Sequence, residues 1–294
     1  MGTLSTVHFR RMSATFLEAT AARNADALTV LAPAETQRPL INCLMLIRWP
    51  ERKEMIQDAI ASFLCQDHSR RVLTVVNDGA PCNLSDSFFA AAHPTNGHAI
   101  VTVPGGSSIG EKRNIGAAAV PEADYIASWD DDDFSLPHRL SAHLRAMGDG
   151  AVWLSASRKY ISITTLDHVV GFEFGRCFGA GMVAKCVVDA LLWPHISWCE
   201  DQRLYEKVRA DARFGGGRGA TTGGGPIIDD DTLTYVQRRH DANVSASRRE
   251  SMWQGVMPLQ LAGSDDAIRV VETVKTLLAR WRVDGPYLVD DPAS

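Results

Sequence analysis

YIASWDDDDFSLPHRL, Tyr125 to Leu140, is a short apolar run that stops at four consecutive carboxylates before apolar residues resume at Phe134 and Leu136. Tyr125 to Trp129 reads as a buried strand, so the acids stand at its C-terminal end. Asp130, Asp131, Asp132 and Asp133 repel one another unless they are solvated or bound to a cation. Hard oxygen donors of this kind suit Mg²⁺ or Mn²⁺, which in turn clamp phosphate oxygens. A solvated acidic turn that caps the next helix is the competing reading. A second triplet, Asp229 to Asp231, follows Pro226-Ile227-Ile228 and leads into a strand-like Thr232 to Val236; it reads as a polar turn.

Upstream of this stretch, Leu40 to Ile47 (LINCLMLI) is a continuous apolar run, short enough for a strand buried on both faces. Glu54 to Cys65 has apolar residues at helix spacing: Met55, Ile56, Ala59, Ile60, Phe63 and Leu64. Arg71 to Val76 reads as a second strand, stopped by the turn-forming Asn77-Asp78-Gly79. A β-α-β unit with a right-handed crossover has parallel strands. Ala99 to Val103 reads as a third strand, Gly110 to Ala119 as a helix and Tyr125 to Trp129 as a fourth strand. The expected architecture is α/β, with an open, mostly parallel sheet flanked by helices and its ligand site at the C-terminal strand ends. Asp78 and the four acids stand at two of those ends.

A length of about 300 residues allows one large α/β domain or two modest ones, with a real core available. The chain has 294 residues, 45% of them hydrophobic and 22% charged, and a formal charge of -5. That acid excess argues against a nucleic-acid-coating surface. No apolar run is long enough to span a bilayer. Six cysteines without a CxxC pair read as buried thiols of a reducing compartment, so a cytoplasmic location is expected. Residues 1–38 read as an N-terminal extension and residues 246–294 as a C-terminal helix and tail. In that tail, Asp265 to Trp281 carries an apolar helical stripe.

Four separated pieces of residues 40–245 resemble glycosyltransferase family 2, inverting enzymes of the GT-A fold, a Rossmann-like sheet. Asn77-Asp78-Gly79 resembles the turn whose Asp meets the nucleotide base. Gly110 to Gly116 (GEKRNIG) resembles the segment whose Arg, here Arg113, contacts the nucleotide. Asp130 to Asp133 resembles the DXD motif, with Asp130 toward the ribose or metal and Asp132 on metal and diphosphate. Glu200-Asp201 resembles the acceptor-side ED motif, which makes Asp201 the general base, although Asp201 also fits a plain cap of the helix that follows. His240, after the Tyr235 to Arg239 run, corresponds to a metal-ligating His; a basic surface turn is its other reading.

The resemblance implies a GT-A domain over residues 39–245, with a nucleotide-binding half at 39–135 and an acceptor-binding half at 136–245. It also implies a divalent cation (Mn²⁺ or Mg²⁺), a nucleotide-sugar donor with a UDP-sugar expected, and a glycan or other hydroxyl acceptor. Two departures stand out. Arg48-Trp49-Pro50-Glu51 occupies the turn that usually reads Pro-Thr-Tyr-Asn, so Arg48 and Trp49 are expected to contact the base. Asp131 sits where a small residue is common and adds charge to the donor site. A nucleotidyltransferase, or a degenerate GT-A module that only binds nucleotide sugar or glycan, is the alternative. Gly179-Ala180-Gly181-Met182 reads either as a close backbone approach to the donor sugar or as a tight turn, and Phe214 to Pro226 as a Gly-rich lid or plain connection. Trp193, Trp198 and Trp253 read as core residues or sugar-stacking rings.

Overall fold

The computed structural model of the chain describes residues 38–81, 97–148, 153–165, 168–214, 227–228, 233–238, 272–276 and 279. Strand β1 (Ile41–Ile47) is central and buried along nearly its whole length. It pairs in parallel with β2 (Arg71–Asn77) on one side and β4 (Tyr125–Trp129) on the other, which is why its sequence is apolar without alternation. Strand β3 (Gly97–Thr102) extends the parallel run beyond β2.

Helices cover both faces. Helix α1 (Lys53–Leu64) turns Ile56, Ala59, Ile60 and Phe63 into one buried cluster with Cys43, Met45, Leu73 and Trp129. Leu140 and Met147 of α3 (Arg139–Met147) join that cluster. On the other face lies α2 (Ile109–Ala118). It starts with an N-cap, in which the Ser108 hydroxyl accepts from the Glu111 N–H at 3.2 Å. Helices α4 (Lys185–Leu191) and α5 (Glu200–Ala210) bring Val187, Val188, Leu204, Tyr205 and Val208 into the same second cluster as Leu44 and Val76.

Strands β5 (Phe134–Ser135), β6 (Leu154–Thr165), β7 (His168–Ala184), β8 (Ile227–Ile228) and β9 (Tyr235–Arg238) complete the sheet among the described residues. Its order is β3-β2-β1-β4-β7-β6-β9-β5, with β8 also on β6. The chain first winds outward from β1 to β2 and β3, then returns to place β4 on β1's other edge. That reversal is a topological switch point, and a crevice at the carboxyl ends of β1 and β4 is where such sheets bind ligands.

The long antiparallel pair β6 and β7 lies outside the sequence-based expectation. Its register shifts at several points between Ser155 and Thr165, so no regular alternation marks it in the sequence. The end of β7 pairs antiparallel with β4, Ala127 opposite Met182. Gly179 to Met182 is therefore strand, which replaces the tight-turn reading. Strand β9 begins at Tyr235, three residues later than the expected Thr232. The sheet is continuous across the boundary expected at residue 135. Residues 272–276 and 279, within the expected C-terminal helix, are helical, and Val274 is buried. Residues 1–37, 215–226 and 229–232, His240 and Trp253 lie outside the described residues. Among the described residues no helix is long and apolar enough to cross a membrane.

Candidate active site

Asp78 follows β2 and Asp130 follows β4, and these strands flank β1 in parallel, with Asn77 beside Ile47 and Trp129 beside Met45. Both acids therefore open on one sheet edge, at the switch point. The turn after β2 is laced to the segment after β1. The Asn77 carboxamide oxygen accepts from Trp49 N–H and Gly79 N–H, both at 3.0 Å, and Ala80 N–H donates to the Trp49 carbonyl at 2.9 Å. The Asp78 carboxylate pairs with Lys112 through Oδ2, while its Oδ1 is buried without a hydrogen-bond partner. A buried carboxylate oxygen with no donor is an open acceptor site.

The four consecutive acids have different environments. Asp133 is buried, accepts from Arg238 N–H at 2.6 Å and meets the Tyr235 hydroxyl. The same hydroxyl lies 3.0 Å from Asp130 Oδ2. One phenol proton cannot serve two carboxylates at once. Burial raises Asp133 well above the usual carboxylate range, with repulsion from Asp132 and Asp130 adding to it, so the protonated Asp133 can share the contact. Asp130 is also raised, by burial first, against the pull of Arg113. Its place depends on Gly179 of β7, where a Cβ would lie 2.6 Å from Asp130 Oδ2.

Asp131 and Asp132 face Arg52 instead. Arg52 Nη1 lies 2.6 Å from Asp132 Oδ2 and Nη2 lies 3.3 Å from Asp131 Oδ2. The second contact lacks hydrogen-bond alignment, and Asp131 Oδ2 is buried without a partner of that kind. Burial and Asp132 push the Asp131 carboxyl up to about 8. Among the described residues no three His, Cys, Asp or Glu side chains converge on one point. An all-oxygen pair with one orphaned buried oxygen still fits Mg²⁺ or Mn²⁺, which are commonly held by one or two carboxylates plus substrate phosphates.

Asp201 lies in the first turn of α5, whose N-cap Cys199 makes no side-chain cap bond. Its Oδ1 accepts from Trp193 Nε1 at 3.0 Å and its Oδ2 from Arg113 Nη2 at 3.1 Å. The carboxylate is thus oriented by side chains from two other segments. Arg113 itself is buried and fully engaged, with Nε on Glu200 at 3.2 Å and Nη1 on Ser128 Oγ at 3.1 Å. Burial lifts Asp201 to about 7 against the pull of Arg113, with Glu200 and Asp130 adding repulsion. Ser128, Ser155, Gly181, Trp193, Asp201 and Leu204 line a small pocket there.

The structure thus brings Asp78, Asp130, Asp131 and Asp132 to one edge and ties Arg113 to Asp201 rather than to Asp78, whose cation is Lys112. Arg48 is exposed, 3.7 Å from Glu51, and Trp49 packs partly buried on the core. Trp193 is buried in the core, whereas Trp198 is 47% exposed. Sequence reasoning missed Arg52, Lys112 and Tyr235 as site residues. Lys112 and Tyr235 lay inside recognised segments; Arg52 meets acids about 80 positions away with no local signal.

No protein-family model and no curated protein sequence matches the chain. Solved structures do. The mannosyltransferase PcManGT from Pyrobaculum calidifontis, in complex with GDP-Man and Mn²⁺, superimposes with a TM-score of 0.54 at 14% identity, over 92% of this chain and 87% of that one. S. aureus TarS 1-349 in complex with UDP-GlcNAc gives 0.52 at 12% identity, over 84% and 73%. The chain spans 37% of the length of another S. aureus TarS structure, at a TM-score of 0.48 and 12% identity. The likeness is one of fold: the mixed α/β sheet is that of the GT-A glycosyltransferases.

Proposed function

We propose that the chain is a metal-dependent, inverting glycosyltransferase that moves a sugar from a nucleoside-diphosphate donor to an acceptor hydroxyl. The observation that carries this reading is the pair of buried carboxylate oxygens without a hydrogen-bond partner, Asp78 Oδ1 and Asp131 Oδ2, on either side of β1 at the switch point. One suits a base N–H and the other a cation on the diphosphate. Asp78, paired with Lys112, binds the base. Asp130, fixed by Tyr235 and backed by Gly179, meets the ribose side. Asp132 and Asp131 are the metal carboxylates, with His240 as a further ligand. When bound, the cation supplies Lewis-acid stabilisation of the charge that develops on the leaving diphosphate.

Asp201 is the general base. Its carboxylate takes the proton of the acceptor hydroxyl as that oxygen bonds to the anomeric carbon. The carbon–oxygen bond to the diphosphate breaks, and its electron pair leaves with the diphosphate. Attack opposite the leaving group inverts the anomeric centre. A carboxyl lifted to about 7 is matched to this task near neutral pH. Arg113 and Trp193 act as positioning residues that hold its two oxygens. A nucleotidyltransferase would have no use for such a base.

A thermal-shift screen of UDP-, GDP-, dTDP- and CMP-linked sugars with and without Mn²⁺ tests the proposal, since a bound donor raises the melting temperature by mass action. One donor class is expected to stabilise the wild type only with Mn²⁺, to lose that effect in Asp132→Ala, and to release nucleoside diphosphate on turnover. Release of pyrophosphate, or no donor response at all, refutes it.

A further inference from the structure

Arg52 is the least expected member of the site. It precedes α1 as its N-cap yet has left-handed backbone, φ 60 and ψ 28, and its side chain caps nothing. For a residue with a Cβ that conformation is unfavourable by about 1–2 kcal/mol. The conformation places its guanidinium on Asp132 at 2.6 Å and Asp131 at 3.3 Å. Both carboxylates are buried, and Asp131 Oδ2 still has an unfilled lone pair. Of the four acids, these are the two that Arg52 reaches, while Asp130 and Asp133 meet Tyr235 and the Arg238 N–H.

Two adjacent buried carboxyls are stabilised as anions by a positive counter-charge close by. We infer that Arg52 is a tethered counter-ion that occupies the divalent-cation position of Asp131 and Asp132 in the free protein, and that the metal must displace it to bind. The inference rests on the metal reading above. Arg52 thereby sets the metal affinity: the chain keeps its acid pair neutralised without an ion, and a cation binds only by winning against a guanidinium already in place. Arg48, four residues earlier, is the matched control, because it is exposed and pairs only with Glu51.

The test is a Mn²⁺ titration of the full chain without nucleotide, read by the electron-paramagnetic-resonance signal of free Mn²⁺. Replacing the charged fork by a neutral amide in Arg52→Gln is expected to tighten Mn²⁺ by about tenfold or more, because a charge-assisted competitor is gone. Arg52→Lys keeps one charge but cannot bridge both acids. It is expected to tighten Mn²⁺ by about threefold and serves if the Gln variant does not fold. Arg48→Gln is expected to leave the affinity within about twofold of wild type, as for a screened surface charge. Arg52 variants that bind Mn²⁺ as the wild type does, or an Arg48 variant that tightens it as much, overturn the inference while leaving the metal reading in place. Absence of Mn²⁺ binding in the wild type and in every variant overturns both.

Discussion

Asp201 offers a test that needs neither donor nor acceptor. Two opposed forces act on its carboxyl: burial, which favours the neutral acid, and the Arg113 guanidinium at 3.1 Å with the Trp193 N–H at 3.0 Å, which favour the anion. The net result is a folded-state value of about 7 against an ordinary 3.8. A carboxyl raised on folding binds its proton more tightly in the native state. Its contribution to stability is therefore complete below the unfolded value and is lost as pH rises through the folded one. The neutral amide of Asp201→Asn mimics the protonated form and does not titrate. Over the interval the loss runs at about 1.4 kcal/mol per pH unit, so between pH 5 and pH 8 the wild type should lose about 3 kcal/mol relative to the Asn variant.

Asp131 and Asp133 are common to both proteins, whereas Glu200 and Asp130, which repel the Asp201 anion, respond to the substitution and add to the measured difference. The assay is the denaturant or thermal midpoint of wild type and Asp201→Asn, compared at each pH in metal-free buffer. A gap of about 3 kcal/mol corresponds to roughly 6–12 °C in a chain of this size. If the gap is flat, or if the wild type gains on the variant as pH rises, the Arg113 pair dominates burial. Asp201 is then an ordinary ion-paired anion, and the argument for a base poised near neutrality fails.

Three further outcomes are expected. Transfer by Asp201→Asn should fall by about 10²-fold or more with donor affinity retained, and the wild-type rate should drop about tenfold per pH unit below a limb near pH 7; single-turnover kinetics across pH read both. Asp78→Ala should weaken nucleoside-diphosphate binding by about tenfold or more, since a buried acceptor for a base N–H is removed, and calorimetry with UDP and GDP measures it. Gly179→Ala, whose Cβ would stand 2.6 Å from Asp130 Oδ2, should displace that carboxylate and lower donor affinity, whereas an unchanged dissociation constant would show that Asp130 makes no donor contact.

The legible part of this fold was the part whose burial is uniform. Leu40 to Ile47 is apolar save for Asn42, whose amide donates to the Gly116 carbonyl, because β1 has neighbours on both edges and helices on both faces. Asp78 and Asp130 were found because strands that end in acids leave them at the same sheet edge. The second half was hidden for physical reasons. Strands β6 and β7 pair with repeated register shifts, so their faces do not alternate in sequence. Gly179 looked like a turn residue but is a strand residue kept small by the carboxylate beside it. Arg113 was read toward the nucleotide; what sequence cannot show is that Glu200, Asp201 and Ser128 all converge on its guanidinium from other elements.

The run of four Asp residues shows most clearly what a folded chain adds to a string of identical letters. As a sequence, each of the four is an equal candidate for a metal. In the structure, the Tyr235 hydroxyl and the Arg238 N–H hold Asp133, and Asp130 shares the same phenol, so these two are fixed parts of the turn. The buried Arg139 guanidinium, between the rings of Trp129 and Tyr235 at 4.9 and 5.4 Å, anchors the same turn from within. Asp131 and Asp132 instead face an arginine reaching in from the start of α1. On the metal reading proposed above, an arriving cation would meet two carboxylates reached by the Arg52 side chain, not the phenol and backbone N–H that hold Asp133. Exchange at that pair therefore leaves the rest of the turn in place, which is the condition for a metal to bind and leave without unfolding the strand end that carries it.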